Sequence, residues 1–247
     1  MAEVPKIGFG AFVAPAKGVL VVFCDEGLTF GSATQKALGS AADLVGRAAK
    51  AERFTGKNGK TLDLILPEGL KASRLTVIGL GKVAELTQKD VVKLGGIAMG
   101  KLPAGTGDLT IFAEFPGSGK SGAISAEQVA DLAQGAQLRA YDFDRYKTKR
   151  KDDEAAPVKR NVMVATGDVA AARKAFVSRD AITGGVLMAR DLVNEPANIL
   201  YPEEFARRAL TLKKVGVKVE VLDVKAMTKL GMGALLGVGQ GSRRDSR

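Results

Sequence analysis

The run Val19-Leu-Val-Val-Phe-Cys24 constrains the fold of this chain more than any other stretch. In a strand, successive side chains point to opposite faces, so six consecutive apolar residues need cover on both sides. A parallel or mainly parallel sheet clad by helices meets that demand, whereas a sheet with one wet face does not. Similar runs recur along the chain. Residues 7–13, 61–66, 74–80, 108–115 and 160–166 also read as strands. Helical patterns separate them. Residues 32–52 carry Leu38, Ala42, Val45 and Ala49 at helical spacing, and 85–101 form a second helical stretch. A third helix, ending near Tyr141, opens at Ser125-Ala-Glu-Gln128, where serine and glutamine can satisfy each other's backbone amides. Asn58-Gly59 can accept the positive φ of a turn before the third strand. The expected fold is α/β, with a mixed, mainly parallel sheet flanked by helices.

The pattern changes after residue 178. Ile182, Val186, Ala189 and Val193 share one helical stripe, which Pro196 ends. Pro202 suits the first position of a further helix, with Glu203 and Glu204 at its positive end and Phe205, Ala209 and Leu212 on its apolar face. Gly216 can cap that helix, and Val217, Val219 and Val221 alternate as a strand. A short helix ends near Gly231, and the segment 231–241 is too glycine-rich for an ordinary strand. Two domains are expected, 1–170 and 171–247, with the boundary within 167–180.

Composition excludes several chemistries. Without histidine, neither Ser-His-Asp, Cys-His nor His-ligated zinc sites can be built from these residues. Any metal site would need carboxylates and perhaps lysine. Cys24 is the single cysteine, so no intrachain disulfide forms, and its apolar setting marks it as a small buried hydrophobe. The first fifteen residues lack a signal-peptide pattern, and no stretch approaches the ~20 apolar residues of a membrane span. A cytoplasmic location is expected. The net charge of +10 favours contact with polyanions such as DNA, although both signs are interspersed along most of the chain.

Four local patterns invite functional readings, each with a plainer alternative. Gly117-Ser-Gly-Lys-Ser121 follows a strand, but Glu114 stands where a phosphate loop needs its first glycine. Gly79-Leu-Gly81 reads as a strand-end turn, because no initial βαβ unit surrounds it. Tyr141-Asp-Phe-Asp-Arg-Tyr-Lys-Thr-Lys-Arg-Lys151 interleaves aromatics with bases, as a helix end entering a charged loop would. Asp152-Asp-Glu154 offers adjacent carboxylates that point different ways rather than converging on a metal.

Arg190-Asp-Leu-Val-Asn-Glu-Pro-Ala-Asn-Ile-Leu200 follows from no packing rule. It closely resembles the signature that opens the catalytic domain of the leucyl (cytosol) aminopeptidase family. Pro202-Glu-Glu-Phe-Ala206 and Gly231-Met-Gly-Ala-Leu-Leu-Gly-Val-Gly-Gln-Gly-Ser242 also match, in order and spacing. Leu80-Gly-Lys82 and Tyr141-Asp-Phe-Asp-Arg-Tyr-Lys147 look like landmarks of its N-terminal domain. Tyr201 departs from the family, where serine or threonine is common, and its helix is expected to lose a cap contributing about 1 kcal/mol.

The resemblance implies a macro-like N-terminal domain followed by the start of a catalytic domain. It implies a family that releases N-terminal residues, preferentially leucine, using two divalent metals, manganese or zinc, in a hexamer whose bacterial members sometimes bind DNA. The family's ligands are a lysine, aspartates and a glutamate, and its Asn-Thr-Asp-Ala-Glu-Gly-Arg type motif is absent from residues 1–247. Thr166-Gly-Asp-Val-Ala-Ala-Ala-Arg173 lacks the glutamate. No residue here is therefore assigned as catalytic, cofactor-binding or metal-binding. The expectation is a fragment that ends before the metal site and is inactive alone. Its alternatives are a regulatory or nucleic-acid-binding module, and an inert partner within hexamers of complete chains.

Overall fold

A computed structural model describes residues 4–117, 123–149 and 158–247. Six strands form one sheet: β1 (Lys6–Gly10), β2 (Val19–Cys24), β3 (Thr61–Ile65), β4 (Arg74–Gly79), β5 (Asp108–Phe112) and β6 (Asn161–Ala165). Their spatial order is β1-β6-β5-β2-β4-β3. All neighbours are parallel except β3, which closes one edge antiparallel to β4. The mixed, mainly parallel sheet expected from the sequence is present.

The apolar run of β2 divides between two cores. Val19, Val21 and Phe23 enter one cluster with Leu94, Ile111 and Leu132, while Leu20, Val22 and Cys24 enter the other with Leu38, Val45 and Phe112. Helices α1 (Ser32–Leu38) and α2 (Ala41–Ala51) supply the second cluster, and α3 (Gln88–Gly100) and α4 (Ala126–Arg139) the first. The sequence suggests one helix over 32–52, but the structure breaks it. Gly39 adopts φ +51, a conformation glycine tolerates, and the chain restarts after Ser40. Thr87 and Ser125 each form a complete capping box, so the second expected helix starts at Gln88 rather than residue 85.

Helices α3 and α4 meet backbone to backbone. A Cβ added to Gly95 would lie 2.0 Å from the Leu132 carbonyl oxygen, and one on Gly135 would lie 1.8 Å from that of Val92. Only glycine fits such an approach. The closeness explains why α4 is buried throughout from Val129 to Gln137, as a helix packed on several sides must be. Two of its buried polar side chains bond to the next helix, α5 (Val169–Asn194). Asp131 accepts from Arg179 Nε at 2.9 Å and from Gln88 Nε2 at 3.1 Å, and Gln137 donates to Asp180 at 2.9 Å.

At the sheet edge, Asp63 receives Thr76 Oγ1 at 2.6 Å and Lys101 Nζ at 2.8 Å, with Arg74 at 3.6 Å. Burial works against its charge, but the Lys101 and Thr76 hydrogen bonds and the two cations outweigh it and hold the carboxyl below its ordinary range.

The chain divides into two compact units, Met1–Leu187 and Met188–Arg247. Helix α5 is continuous over 26 residues, and Asp168 accepts from the Ala171 amide in its first turn. Its buried stripe is not the expected apolar one. Thr183, Leu187, Asp191 and Glu195 are buried, whereas Ile182, Val186 and Val193 are exposed. The rotation is set upstream, where Ala172 and Phe176 pack on the first core and Arg179 and Asp180 bind α4.

The second unit contains α6 (Pro202–Ala209), a 3-10 turn (Leu210–Val215), α7 (Val224–Lys229) and α8 (Gly233–Gly239). Phe205, expected on a buried face, is half exposed. The strand expected at Val217, Val219 and Val221 does not form, because a strand needs a neighbour to bond and none of the described residues pairs with it. The glycine-rich segment, unsuited to a strand, turns instead into the short α8.

Candidate functional site

The geometry of the signature segment follows from Pro196. The ring has no N–H to continue the helix and disfavours helical backbone just upstream, so α5 ends at Asn194. The Pro196 carbonyl then accepts from Ile199 and Leu200, each at 2.9 Å, turning the chain toward Pro202. This places Glu195 against α6. Its fully buried side chain accepts from Arg208 Nη1 at 3.1 Å. Arg208 Nε also reaches Glu204 at 2.7 Å, and Arg207 holds the same carboxylate at 2.6 Å. Hydrogen bonds from Arg207 and Arg208 pull Glu204 down to about 2.

Chemically, this cluster is a clamp. Both carboxylates are ion-paired and oriented by guanidinium groups, so neither is poised as a general base or a free ligand. Among the described residues, no group of three or more histidine, cysteine, aspartate or glutamate side chains is arranged to hold a metal ion. Sequence reasoning missed the clamp. Its signal was the spacing of Glu204, Arg207 and Arg208 at i, i+3 and i+4, which places all three on one helix face. Tyr201 provides no side-chain cap for α6, as expected from its departure from the family, and the Arg244 guanidinium lies 3.9 Å from its ring centroid.

Other candidate positions resolve into structure. Cys24 is fully buried, and burial pushes its thiol up to about 12, so it is inert. Gly79 is approached by the chain's own Gly56-Lys57 backbone, and Gly59 donates to the Gly79 carbonyl at 2.9 Å. That turn fills the space a dinucleotide would need. Glu114, remote in sequence from α1, accepts from the Ala33 and Thr34 amides at 2.9 and 2.7 Å. The carboxylate that argued against a phosphate loop thus occupies a helix start itself. Residues 118–121 of that glycine-rich pattern lie outside the described residues, as do Asp152, Asp153 and Glu154. In the aromatic–basic stretch, Phe143 and Tyr146 meet edge to face at 5.9 Å, and Arg145 lies 5.7 Å from the Phe143 ring; Arg150 and Lys151 lie outside the described residues.

Comparison with known proteins places this geometry in a family. The N-terminal domain model of the cytosol aminopeptidase family matches residues 21–150, and that family's catalytic domain model matches 187–247. The chain belongs to the cytosol aminopeptidase family. Among its relatives, the probable cytosol aminopeptidase of Bradyrhizobium sp. (strain BTAi1 / ATCC BAA-1182) is 57% identical over all 247 residues, which are 48% of that protein. That of Rhodopseudomonas palustris (strain BisB5) is 58% identical and covered over 49% of its length. The chain therefore spans about half the length of the curated relatives it matches.

Solved structures share the fold. A mutant of tomato leucine aminopeptidase aligns with a TM-score of 0.75 at 22% identity, over all of this chain and 50% of that one. The bottromycin maturation enzyme BotP in complex with Mn gives 0.68 at 23% identity, over 92% of this chain and 43% of its own. Cytosol aminopeptidase relatives thus carry as much chain again beyond the part matched here. No helix among the described residues is long and apolar enough to cross a membrane.

Proposed function

We propose that residues 1–247 are the scaffold half of a cytosol aminopeptidase, comprising its macro-like N-terminal domain and the entrance to its catalytic domain, with the division near residues 167–180. The complete enzyme would release N-terminal amino acids, preferentially leucine, from peptides in the cytoplasm. Two divalent ions, manganese or zinc, would be held by residues of the other half. The family resemblance supports a homo-hexamer of complete chains.

One observation carries the reading that the 247 residues do not hydrolyse peptides by themselves. The carboxylates of the signature, Glu195 and Glu204, are already committed to arginines, and the described residues assemble no other acidic cluster. Purified residues 1–247, supplied with manganese or zinc, are expected to leave a leucine anilide uncleaved while the intact Bradyrhizobium relative cleaves it under the same conditions. Metal-dependent cleavage by residues 1–247 alone overturns this reading.

The +10 charge supports a second reading, contact with nucleic acid. A gel-shift titration with duplex DNA at two salt concentrations tests it. Binding at low salt that weakens at least about tenfold in higher salt is expected for phosphate contacts. No shift at low salt removes it.

A further inference from the structure

The close approach of α3 and α4 leaves an open groove of about 510 Å³ along their outer faces. Val92, Gly96, Ile97 and Gly100 of α3 line it, together with Lys93 and Arg139. Gly96 and Gly100 stand one turn apart, so they share a face of α3 and leave its backbone bare there. Val92 and Ile97 beside them are half-buried and apolar. Arg139, exposed at the end of α4, reaches back across this face. A Cβ on Gly100 would lie 3.4 Å from its Nε, and one on Gly96 would lie 3.7 Å from its Cβ. The two glycines leave room for the arginine to lie against α3.

The acids nearby are committed elsewhere. Asp63 holds Lys101, a further cation of the groove, at 2.8 Å. Asp90, one turn before Lys93, accepts from the Thr87 amide at 2.9 Å and from the Thr87 hydroxyl at 2.6 Å. Asp131 of α4 is taken by Arg179 and Gln88. Among the described residues, no carboxylate forms an ion pair with Lys93 or Arg139. The groove therefore joins an apolar floor to two cations without an ion-pair partner. No aromatic ring lines it for a base to stack on, and a phosphate backbone would gain nothing from Val92 or Ile97. An acidic, amphipathic segment matches both parts.

We propose that this groove docks an acidic amphipathic helix of a partner protein. Charge complementarity selects the occupant. Apolar side chains on one face of the helix would seat over Gly96 and Gly100, where the backbone is barest, and flanking carboxylates would meet Lys93 and Arg139. The inference does not depend on the peptidase reading above.

Fluorescence anisotropy tests it with residues 1–247 and a labelled, N-acetylated peptide made of two repeats of Leu-Glu-Ala-Leu-Glu-Glu-Ala. Acetylation removes the free amino terminus that an aminopeptidase would act on, so binding is read apart from any hydrolysis. Saturable binding is expected, and Arg139→Glu and Lys93→Glu should each weaken it at least about tenfold. Gly100→Leu, which fills the groove with a side chain, should do the same. Lys50→Glu makes the same charge change on the exposed face of α2 and should alter affinity by less than about twofold. A peptide of equal composition, with its leucines moved off helical spacing, should bind at least about tenfold more weakly. Absence of saturable binding overturns the proposal. Equal losses from Lys50→Glu and Arg139→Glu, or equal affinity for the rearranged peptide, would reduce the binding to bulk charge attraction and also overturn it. If Gly100→Leu does not fold by circular dichroism, the two exposed charge variants decide alone. Duplex DNA that displaces the peptide, and whose own binding is lost in the same variants, would make the groove a nucleic-acid contact instead.

Discussion

Gly135→Ala is expected to destabilise the first unit by more than about 4 kcal/mol, at the severe end for a single substitution. The added methyl would lie 1.8 Å from the Val92 carbonyl oxygen and 2.9 Å from the Gly96 nitrogen. Both are backbone atoms in a helix, so no side chain can rotate away and α3 and α4 must separate. Separation exposes Leu94 and Leu132, which are fully buried in the first core. A loss of this size is a large part of the 5–15 kcal/mol typical of a folded domain. Thermal unfolding followed by circular dichroism should fall by roughly 8–16 °C. Gly46→Ala is the internal control. Gly46 lies within α2 with nothing within 4 Å of an added Cβ, so alanine there should be neutral or stabilise by about 0.5–1 kcal/mol. If the two variants melt together, the close packing of α3 on α4 is wrong.

Glu114→Ala is the second large effect, about 3 kcal/mol of destabilisation. Glu114 is buried, and its two oxygens accept from Ala33 and Thr34 across 80 or more residues of chain. Alanine leaves both amides without an acceptor at the start of α1 and removes a carboxylate from the positive end of that helix. Glu114→Gln, which keeps one carbonyl oxygen, should lose roughly half as much. Urea midpoints measure the series. A cost below about 1 kcal/mol for alanine, or no difference between alanine and glutamine, would show that Glu114 does not anchor the helix.

The contrast between these residues shows what was legible in sequence. Ser125 and Gln128 announce their capping box because both partners lie within one helical turn, and the structure forms it. Glu114 announces nothing comparable, since its acceptor role depends on a helix some 80 residues earlier in the chain. Sequence could use it only to argue against a phosphate loop. The signature segment behaves in the same way. Its residues name the family through resemblance, and Pro196 fixes where α5 stops. The pairing of Glu195 with Arg208 depends on how the chain returns after the turn.

The six strands appear at their expected places, with β2 buried at every residue while β1, β3 and β6 keep exposed or half-buried positions. The buried stripe of α5 differs from the expected one because its first half packs through Phe176 and Arg179, and Ile182, Val186 and Val193 are left exposed. The valines at 217–221 carry a sound strand pattern, yet pairing needs a second strand, and alternation alone cannot provide one.

By itself, the sequence determined the α/β class, the two-sided cover over β2, the start of α4 at Ser125 and the family. These follow from local sterics, from hydrophobic periodicity and from residues that match in order. Only the tertiary structure decided that two glycines bring α3 and α4 into backbone contact, that Glu114 caps a distant helix and that Glu195 is locked by Arg208. Each of those depends on groups brought together from distant positions, and the free energy of such contacts is set by geometry that no single stretch of sequence contains.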